Sequence, residues 1–156
     1  MTRVYRLYRR RRREEAFVGE GARVEGARWN LPGTPVVYAA STLGLALLEF
    51  LVHFDPSEME VARLELETRT ADIPSEIAVF EVPARRLPRQ WNAIPWSRAS
   101  QTFGTRLLHQ SEYAAIAVPS VVVASERNYL LNPLHPDFSR IKISSPKPFM
   151  LDQRLF

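Results

Sequence analysis

The chain has 156 residues, of which 46% are hydrophobic and 10% aromatic, a composition typical of a folded domain and not of a disordered chain. It contains no cysteine, which excludes thiol catalysis, zinc–thiolate sites and disulfide bonds. The sequence shows neither an apolar run of the roughly 18 residues that cross a bilayer nor a signal-peptide core, so we expect a cytoplasmic protein without membrane contact.

The formal net charge of +4 is unevenly distributed along the chain. Positions 1–13 hold seven arginines and no acidic residue, and five of these arginines are consecutive at 9–13. The rest of the chain carries 14 basic and 17 acidic groups, a net charge of about −3. A basic block can bind nucleic-acid phosphates or an acidic partner, or it can be a solvated, self-repelling segment, and the sequence leaves both open.

Alternating and β-branched runs predict most of the chain as strands. Residues 1–18 predict a basic N-terminal edge strand at 4–9 and an arginine-rich turn. Further strands are predicted at 34–41, 59–68, 76–83, 114–118, 121–124 and 141–144. In 59–68 the alternation places Ala62, Leu64 and Leu66 inward, and it places Arg63, Glu65 and Glu67 outward.

Two helices interrupt the predicted strands. The first begins after a cap at Ser41 or Thr42 and extends to about Phe54, and the second covers 100–109. The proline-rich segment 85–96 and the segment 132–138 are predicted as loops and turns. Strands outnumber helices and their order is mixed. We therefore expect one α+β domain over residues 1–156, with a split or bent mixed sheet flanked by helices.

Glu49 is the acidic residue of the apolar helix predicted after Thr42. With helical periodicity it shares a face with Leu45, Ala46 and Val52. A carboxylate on such a surface requires a cationic partner or several hydrogen bonds, because burial alone would neutralise it. Two interpretations stay open: a narrow exposed stripe along the helix, or a carboxylate positioned to face a cleft.

Arg28, Trp29 and Asn30 follow one another in a segment rich in glycine and proline. The planar guanidinium of Arg28 can hold a phosphate or a carboxylate through two hydrogen bonds, and the glycines let the backbone approach a ligand closely. The alternative is a surface arginine stacked on its tryptophan neighbour. The residues by themselves are compatible with both arrangements.

Tyr38 and Ser120 are polar residues in predicted β segments. Tyr38 lies mid-strand, where it is either a core residue with a tethered hydroxyl or a stacking platform. Ser120 follows Pro119, and it either presents its hydroxyl and backbone N–H to a cleft or is a turn serine. The three histidines show no metal-ligand spacing, so we expect no metal site.

Two ordered blocks of the chain resemble the RES domain family. GEGARVEGARWNLPGTPVVYAASTLGLALLEFLVH, at 19–53, is similar to the amino-terminal signature of that family. VPSVVVASERNYLLNPLHPDF, at 118–138, and PFMLDQRL, at 148–155, are similar to its carboxy-terminal signature. The resemblance covers most of the chain, is weakest between 55 and 110, and implies a fold similar to that of ADP-ribosyltransferases.

The same resemblance implies a biological role. Members of the family are toxins of bacterial toxin–antitoxin pairs that degrade or consume NAD, so NAD is the implied substrate and no metal is implied. The implied partner is an antitoxin with an Xre-like helix-turn-helix domain, which blocks the active site and makes the contacts with DNA. A homodimer within that complex is also compatible with the resemblance. The arginines at 9–13 do not match the family pattern.

The resemblance also places the family's functional residues on this chain. The Arg, Glu and Ser of the family name fall on Arg28, Glu49 and Ser120. Tyr38 matches the tyrosine that is similar to the nicotinamide-stacking residue of diphtheria-type transferases. In these expected catalytic roles Glu49 stabilises the charge that develops on the ribose, Arg28 binds the pyrophosphate and pairs with Glu49, and Ser120 orients an amide or hydroxyl. The expected substrate-binding residues are Tyr5, Arg6, Trp29, Asn30 and Asn132.

The acceptor of the ribosyl group determines the reaction. Water gives an NAD glycohydrolase, inorganic phosphate gives a phosphorylase, and a protein side chain gives an ADP-ribosyltransferase. Position 47, two residues before Glu49, is a leucine and not the glutamate of arginine-specific transferases, which favours NAD degradation. The alternative from another class is a non-catalytic module that binds nucleic acid or an acidic partner through its arginine-rich tip.

Overall fold

The computed structural model describes residues 1–54 and 64–155. Within these ranges the strands are β1 (Thr2–Arg9), β2 (Val37–Ala40), β3 (Leu66–Ile73), β4 (Val79–Glu81), β5 (Ala115–Pro119), β6 (Arg127–Leu131), β7 (Lys142–Ile143) and β8 (Lys147–Phe149). The α-helices are α1 (Glu20–Glu25), α2 (Leu43–Val52) and α3 (Arg98–Gln110). Each helix in these ranges is too short or too polar to cross a membrane.

The strands form one mixed sheet in the order β4-β5-β6-β2-β1-β3-β7, and β8 also pairs with β3. β4 and β5 are parallel, and the other neighbours are antiparallel. β1 pairs with β3 along its whole length, whereas it meets β2 at the single pair Tyr5 and Ala40. The sheet therefore opens between β1 and β2. This confirms the expected α+β fold with a split mixed sheet.

Helix α2 packs on the sheet beside this opening. Its first turn is capped by Thr42, whose hydroxyl accepts the backbone N–H of Leu45 at 3.0 Å. Leu45 and Ala46 are buried in a cluster with Leu7 of β1 and Ala40 of β2. Burial of a leucine side chain of this kind contributes about 2 kcal/mol. The packing fixes α2 over the point where β1 and β2 diverge, and the predicted helix and its cap are confirmed.

Helix α3 holds the segment that contains Arg28. A Cβ atom on Gly104 would lie 2.0 Å from the carbonyl oxygen of Trp29, so the helix approaches this closely because residue 104 has no side chain. One residue later, the Thr105 hydroxyl accepts the backbone N–H of Leu31 at 2.8 Å. The segment 28–31 is therefore packed and hydrogen-bonded against α3.

The prediction of an edge strand at 4–9 is wrong, because β1 lies between β2 and β3 in the sheet. Its many arginines suggested an exposed edge. Arg3 instead pairs with Asp72 of β3 at 2.7 Å, and Arg6 donates to the carbonyl oxygen of Tyr38 at 2.6 Å. Val4 and Tyr8 of the same strand are buried in the largest core cluster. The charge of Arg3 is therefore paired with a distant carboxylate, whereas Arg6 is hydrogen-bonded to a neutral carbonyl group.

Glu67 is the second correction, because it was predicted to point outward and is only 3% exposed. Leu66, on the other face of β3, is buried as predicted, and Glu65 is exposed as predicted. Both faces of β3 are covered near this point, so alternation could not separate an inner from an outer face. The predicted positions of Ala62 and Arg63 lie outside the described residues.

The predicted strand at 121–124 is also wrong. The Ser120 hydroxyl accepts the backbone N–H groups of Val122 and Val123, at 3.0 and 3.1 Å, and so takes up donors that a strand would use for pairing. The predictions at 34–41, 76–83, 100–109, 114–118 and 141–144 are confirmed with shifted ends. Helix α1 and strands β6 and β8 were not predicted.

Candidate active site

A cavity of about 740 Å³ lies over the opening between β1 and β2. Helix α2, the segments 27–29 and 94–96, and the residues Pro119, Val121 and Val122 form its other walls. Its charged lining residues are Arg6, Arg9, Arg28 and Glu49. Its aromatic lining residues are Tyr5, Trp29, Tyr38, Phe50, Phe54 and Trp96. The size falls in the range of small-molecule sites, and the lining combines aromatic surface with an excess of positive charge.

Glu49 reaches this cavity from α2 and is half-buried. One of its oxygens, Oε1, accepts the Asn128 side-chain amide at 2.7 Å and the Ser120 hydroxyl at 3.0 Å. Among the described residues, no Lys, Arg or His nitrogen lies within 4 Å of this carboxylate. Glu49 is therefore a carboxylate oriented by neutral donors that faces a cleft, and the interpretation as a simple exposed stripe is wrong.

Ser120 lies behind Glu49 and is 1% exposed. Its backbone N–H donates to the Glu126 carbonyl at 3.1 Å, while its hydroxyl accepts two N–H groups of the following turn. With both acceptor positions filled, the hydroxyl hydrogen is directed to Glu49. Ser120 does not line the cavity itself. Its hydroxyl therefore acts on the site through the Glu49 carboxylate.

Asn128 is the site residue that the sequence prediction missed. It lies on β6, opposite Ala40 of β2, and lines the cavity. The signal was present in the alternation of β6, where Asn128 shares a face with the fully buried Leu130. An asparagine on a buried face requires partners, but β6 itself had not been recognised from the sequence.

Arg28 lies in a tight turn in which Ala27 and Asn30 form a backbone bridge. Its Nη1 donates to the carbonyl oxygens of Trp91 and Ala93, at 2.9 and 2.7 Å. Burial lowers the pKa of Arg28, and the negative charge of Glu49 opposes this shift. The predicted direct pair with Glu49 is wrong, because the described contacts contain no such ion pair and the two groups interact across the cavity.

The tryptophan next to Arg28 stacks on Trp91, with ring centroids 6.0 Å apart, and not on the arginine. Trp29 is 2% exposed and also packs edge-on against Phe103 of α3. The local Arg–Trp stack considered from the sequence is therefore not formed. Instead, the turn presents the guanidinium to the cavity and buries the indole behind it.

Tyr38 lines the cavity, and its hydroxyl is tethered as one of the two interpretations predicted. The hydroxyl donates to Asn30 Oδ1 at 2.7 Å and accepts the Trp29 N–H at 3.1 Å. Burial raises the pKa of Tyr38, so the phenol stays protonated near neutral pH. The hydrogen bonds fix the ring relative to the Arg28 turn.

The five expected substrate-binding residues divide into two groups. Tyr5, Arg6 and Trp29 line the cavity. Burial lowers the pKa of Arg6 to about 10. Asn30 and Asn132 do not line the cavity, so their predicted binding role is wrong.

The two asparagines have structural roles instead. The Asn30 amide donates to the carbonyl oxygens of Ala22 and Thr34, at 2.8 and 3.1 Å, and so closes the Arg28 turn. The Asn132 amide donates to Leu108 at 3.0 Å, which joins the end of β6 to α3. Both side chains are almost completely buried, which explains why the sequence shows polar residues at these places.

The arginine-rich segment is not one uniform solvated block. Residues Arg10–Glu15 form a 3₁₀ helix. Arg13 forms a bidentate pair with the buried Glu67, and Arg10 lies 3.5 Å from Glu65. Arg9 lines the cavity with its guanidinium 5.5 Å from the centre of the Phe54 ring. Part of the segment therefore anchors β1 to β3, and Arg11 and Arg12 are exposed.

In residues 1–54 and 64–155, His, Cys, Asp and Glu side chains do not form a group of three or more that could hold a metal ion.

Comparison with known proteins identifies the family. The RES domain model matches residues 3–152. The chain is 37% identical to the "Prs ADP-ribosylating toxin" of Sphingobium sp. strain YBL2, over 88% of this chain and 84% of that protein. It is 34% identical to the "Toxin Res" of Photorhabdus laumondii, over 97% of this chain and 96% of that protein. It is also 34% identical to the "Toxin Res" of Yersinia enterocolitica, over 97% of this chain and 98% of that protein. The fold is similar to the crystal structure of the Mycobacterium tuberculosis MbcT–MbcA toxin–antitoxin complex, with a TM-score of 0.77, 17% identity and coverage of 95% of this chain and 84% of that chain. The resemblance in the sequence is thus confirmed, and this chain belongs to the RES domain family.

Proposed function

We propose that this protein is the toxin of a bacterial toxin–antitoxin pair and that it cleaves the bond between nicotinamide and ribose in NAD. The observation that carries the proposal is the Glu49 carboxylate, oriented by Ser120 and Asn128 at a cavity that also holds Arg6 and Arg28. The names of the Sphingobium, Photorhabdus and Yersinia relatives support the toxin role.

The reaction requires a negative charge beside the ribose. The bond from the anomeric carbon to the nicotinamide nitrogen breaks, its electron pair leaves with nicotinamide, and the ribose acquires oxocarbenium character. Glu49 has no cationic neighbour within 4 Å among the described residues, so its charge is available to stabilise the ribose. Since Oε1 of Glu49 is held by two donors, Oε2 is the oxygen that would accept a ribose hydroxyl.

The pyrophosphate of NAD requires positive charge in the same cavity. Arg28 and Arg6 both line it, and each is partly desolvated, as the lowered pKa values indicate. Partly desolvated guanidinium groups bind phosphate oxygens more strongly than solvated ones do. In this arrangement the arginines hold the diphosphate while Glu49 faces the ribose.

The nicotinamide ring requires an apolar, water-poor surface. Tyr38 provides a ring whose position is fixed by Asn30 and by the Trp29 backbone. Stacking on such a ring would orient nicotinamide and exclude water from the leaving side. Ser120 contributes by holding the Glu49 carboxylate in place. This role replaces the direct contact with substrate that was expected of Ser120 from the sequence.

The acceptor is proposed to be water or inorganic phosphate, which makes the toxin an NAD glycohydrolase or phosphorylase. Protein ADP-ribosylation is the second candidate, because the Sphingobium relative is named an ADP-ribosylating toxin. Product analysis of NAD turnover with and without phosphate separates these reactions. We expect free nicotinamide with ADP-ribose or its 1-phosphate. Label from NAD that becomes covalently attached to a protein would favour the transferase, and the absence of nicotinamide release would contradict the proposal.

An antitoxin with an Xre-like helix-turn-helix domain is the proposed partner, and the fold neighbour is part of a toxin–antitoxin complex. We propose that DNA is contacted only through this antitoxin, within a cytoplasmic complex that can contain two copies of the toxin. Co-expression with a candidate helix-turn-helix antitoxin from the same genome tests this. NAD consumption should fall in the co-purified complex and return when the antitoxin is removed.

A further inference from the structure

A second cavity, of about 390 Å³, lies on the outer face of α3 and shares no lining residue with the first. It is lined by Pro88, Arg98, Ala99, Thr102, Phe103 and Arg106. Its apolar lining residues are Pro88, Ala99 and Phe103, and Arg98 and Arg106 lie at the two ends of the stripe on α3, with Thr102 between them. The mechanism proposed above uses none of these residues.

The part of the chain that forms this cavity is rich in arginine. Residues 82–111 contain five arginines and no aspartate or glutamate, and all five are exposed. In the part of the chain that the structure describes, none of the five forms an ion pair within 4 Å. They are Arg85, Arg86, Arg89, Arg98 and Arg106. Exposed arginines that form no ion pair with a described residue create a local positive potential that attracts an anionic partner.

The spacing along α3 defines the shape of that partner. Arg98, Thr102 and Arg106 lie on successive turns of the same side of the helix. The two arginines are eight positions apart, so their Cα atoms are about 12 Å apart along the helix. In an extended segment, residues four apart on one face are about 13 Å apart, and the residue midway between them points to the same side. Two carboxylates flanking one apolar side chain would therefore match two guanidinium groups flanking an apolar floor.

We propose that this cavity, hereafter the α3 groove, docks an extended acidic segment of a partner protein with the pattern Glu-x-Leu-x-Glu. The two carboxylates bind Arg98 and Arg106 through paired hydrogen bonds, and the leucine contacts Phe103 and Ala99. Duplex DNA fits less well, because its phosphate backbone carries no apolar group to cover the floor. The docking is independent of NAD cleavage, so the failure of either proposal leaves the other testable.

Fluorescence anisotropy with labelled synthetic peptides tests the α3 groove. The probe contains Glu-Thr-Leu-Thr-Glu, and two control peptides replace either both glutamates by glutamine or the leucine by serine. We expect saturable binding of the probe at low salt and at least about fivefold weaker binding of each control, because each control loses either the charge or the apolar contact. Raising the salt concentration to about 0.2 M should weaken the binding of the probe, because the shorter Debye length screens the attraction between its carboxylates and the arginines.

Matched charge reversals locate the binding on the protein. Arg98→Glu/Arg106→Glu should weaken the probe at least about tenfold, because both favourable contacts become repulsive. Arg11→Glu/Arg12→Glu changes the net charge equally at two exposed arginines of the N-terminal segment and should change binding by less than about twofold. Arg98→Gln/Arg106→Gln gives the same test without reversing charge. NAD turnover should be unchanged in all three, since none of these residues lines the first cavity.

Three results would overturn the docking proposal. The first is the absence of saturable probe binding up to about 1 mM, the limit of weak specific association. The second is an equal loss of binding in the two charge-reversed proteins, which would show unspecific attraction to a basic protein. The third is tighter binding of a DNA duplex of about 20 base pairs with the same dependence on Arg98 and Arg106, which would reassign the groove to nucleic acid.

Discussion

Glu49 and Glu67 are two carboxylates withdrawn from bulk water, and their surroundings differ in one decisive respect. Glu67 is bound by the Arg13 guanidinium, by the Tyr8 hydroxyl at 3.1 Å and, at 3.7 Å, by Arg10. Glu49 is bound by an amide and a hydroxyl, and Arg28, which lines the same cavity, interacts with it only across space. One negative charge is compensated within the fold, and the other is oriented but left available.

The difference separates a structural carboxylate from a functional one. In a buried ion pair each charge is neutralised by the other, and removing one of the two residues leaves an uncompensated charge. A carboxylate held by neutral donors keeps its field directed at the adjacent space, which in Glu49 is the cavity between β1 and α2. Identical side chains therefore have different uses according to whether a cation already neutralises them.

The largest effect should come from Glu49→Gln, which keeps the shape and removes the charge. We expect nicotinamide release to fall by about 10³, because the charge that develops on the ribose loses its stabilising partner. The thermal midpoint should stay close to that of the wild type. Glu112→Gln, at an exposed carboxylate, is the matched control and should leave turnover unchanged. Undiminished turnover in Glu49→Gln would contradict the assignment of Glu49 as the functional carboxylate of the two.

Arg28 should rank second, since it supplies positive charge opposite Glu49. Arg28→Ala should reduce kcat/KM by about 10², the effect of removing one preorganised charged group. Arg28→Lys should recover only part of this, because an ammonium group cannot reproduce the planar contacts to the Trp91 and Ala93 carbonyls. Steady-state kinetics on both variants measure these losses in kcat/KM. Equal activity of Arg28→Lys and the wild type would argue against a contact that requires a planar guanidinium group.

The sequence predicted the parts of this site that are local in the chain. The apolar helix with its Thr42 cap and the strand that carries Tyr38 depend mainly on neighbours within a few residues. The turn around Arg28 also depends on α3 and on carbonyl groups more than 60 residues away in the chain. Glu67 and Asn128 were not predicted correctly because their environments arise from pairing across the sheet. Glu67 is buried by contacts with Tyr8 and Arg13, more than 50 residues away in the chain.

A smaller effect should follow from loosening Glu49 without removing it. Ser120→Ala deletes one of the two bonds to Oε1, and Asn128→Ala deletes the other. A hydrogen bond to a charged group contributes about 1.5–3 kcal/mol, so each variant should lose about tenfold to a hundredfold in kcat. Asn128 lines the cavity and Ser120 does not, so only Asn128→Ala should also raise KM. A KM increase in both variants would indicate that Ser120 contacts the substrate.

Glu67→Gln should have the smallest effect on turnover and should act on stability instead. Hydrogen bonds from Arg13 and Tyr8 lower the pKa of Glu67 below its ordinary value of 4.5. The unfolded chain therefore binds this proton more readily than the folded chain does, so the carboxylate stabilises the fold above about pH 4.5, and the stabilisation is lost as the pH falls through the folded-state pKa. We expect Glu67→Gln to lower the free energy of unfolding at pH 7 and to approach the wild type as the pH falls below 4.5.

Urea unfolding at several pH values measures this difference, with Glu76→Gln as a control at an exposed carboxylate. The gap between Glu67→Gln and the wild type should be constant from about pH 6 to 8 and should narrow on acidification. A gap that stays constant down to low pH would mean that the neutral side chain, and not its charge, matters at this position. We expect Glu67→Gln to retain nicotinamide release and Glu49→Gln to lose it. The same chemical change would then affect stability at the ion-paired carboxylate and catalysis at the carboxylate that faces the cavity.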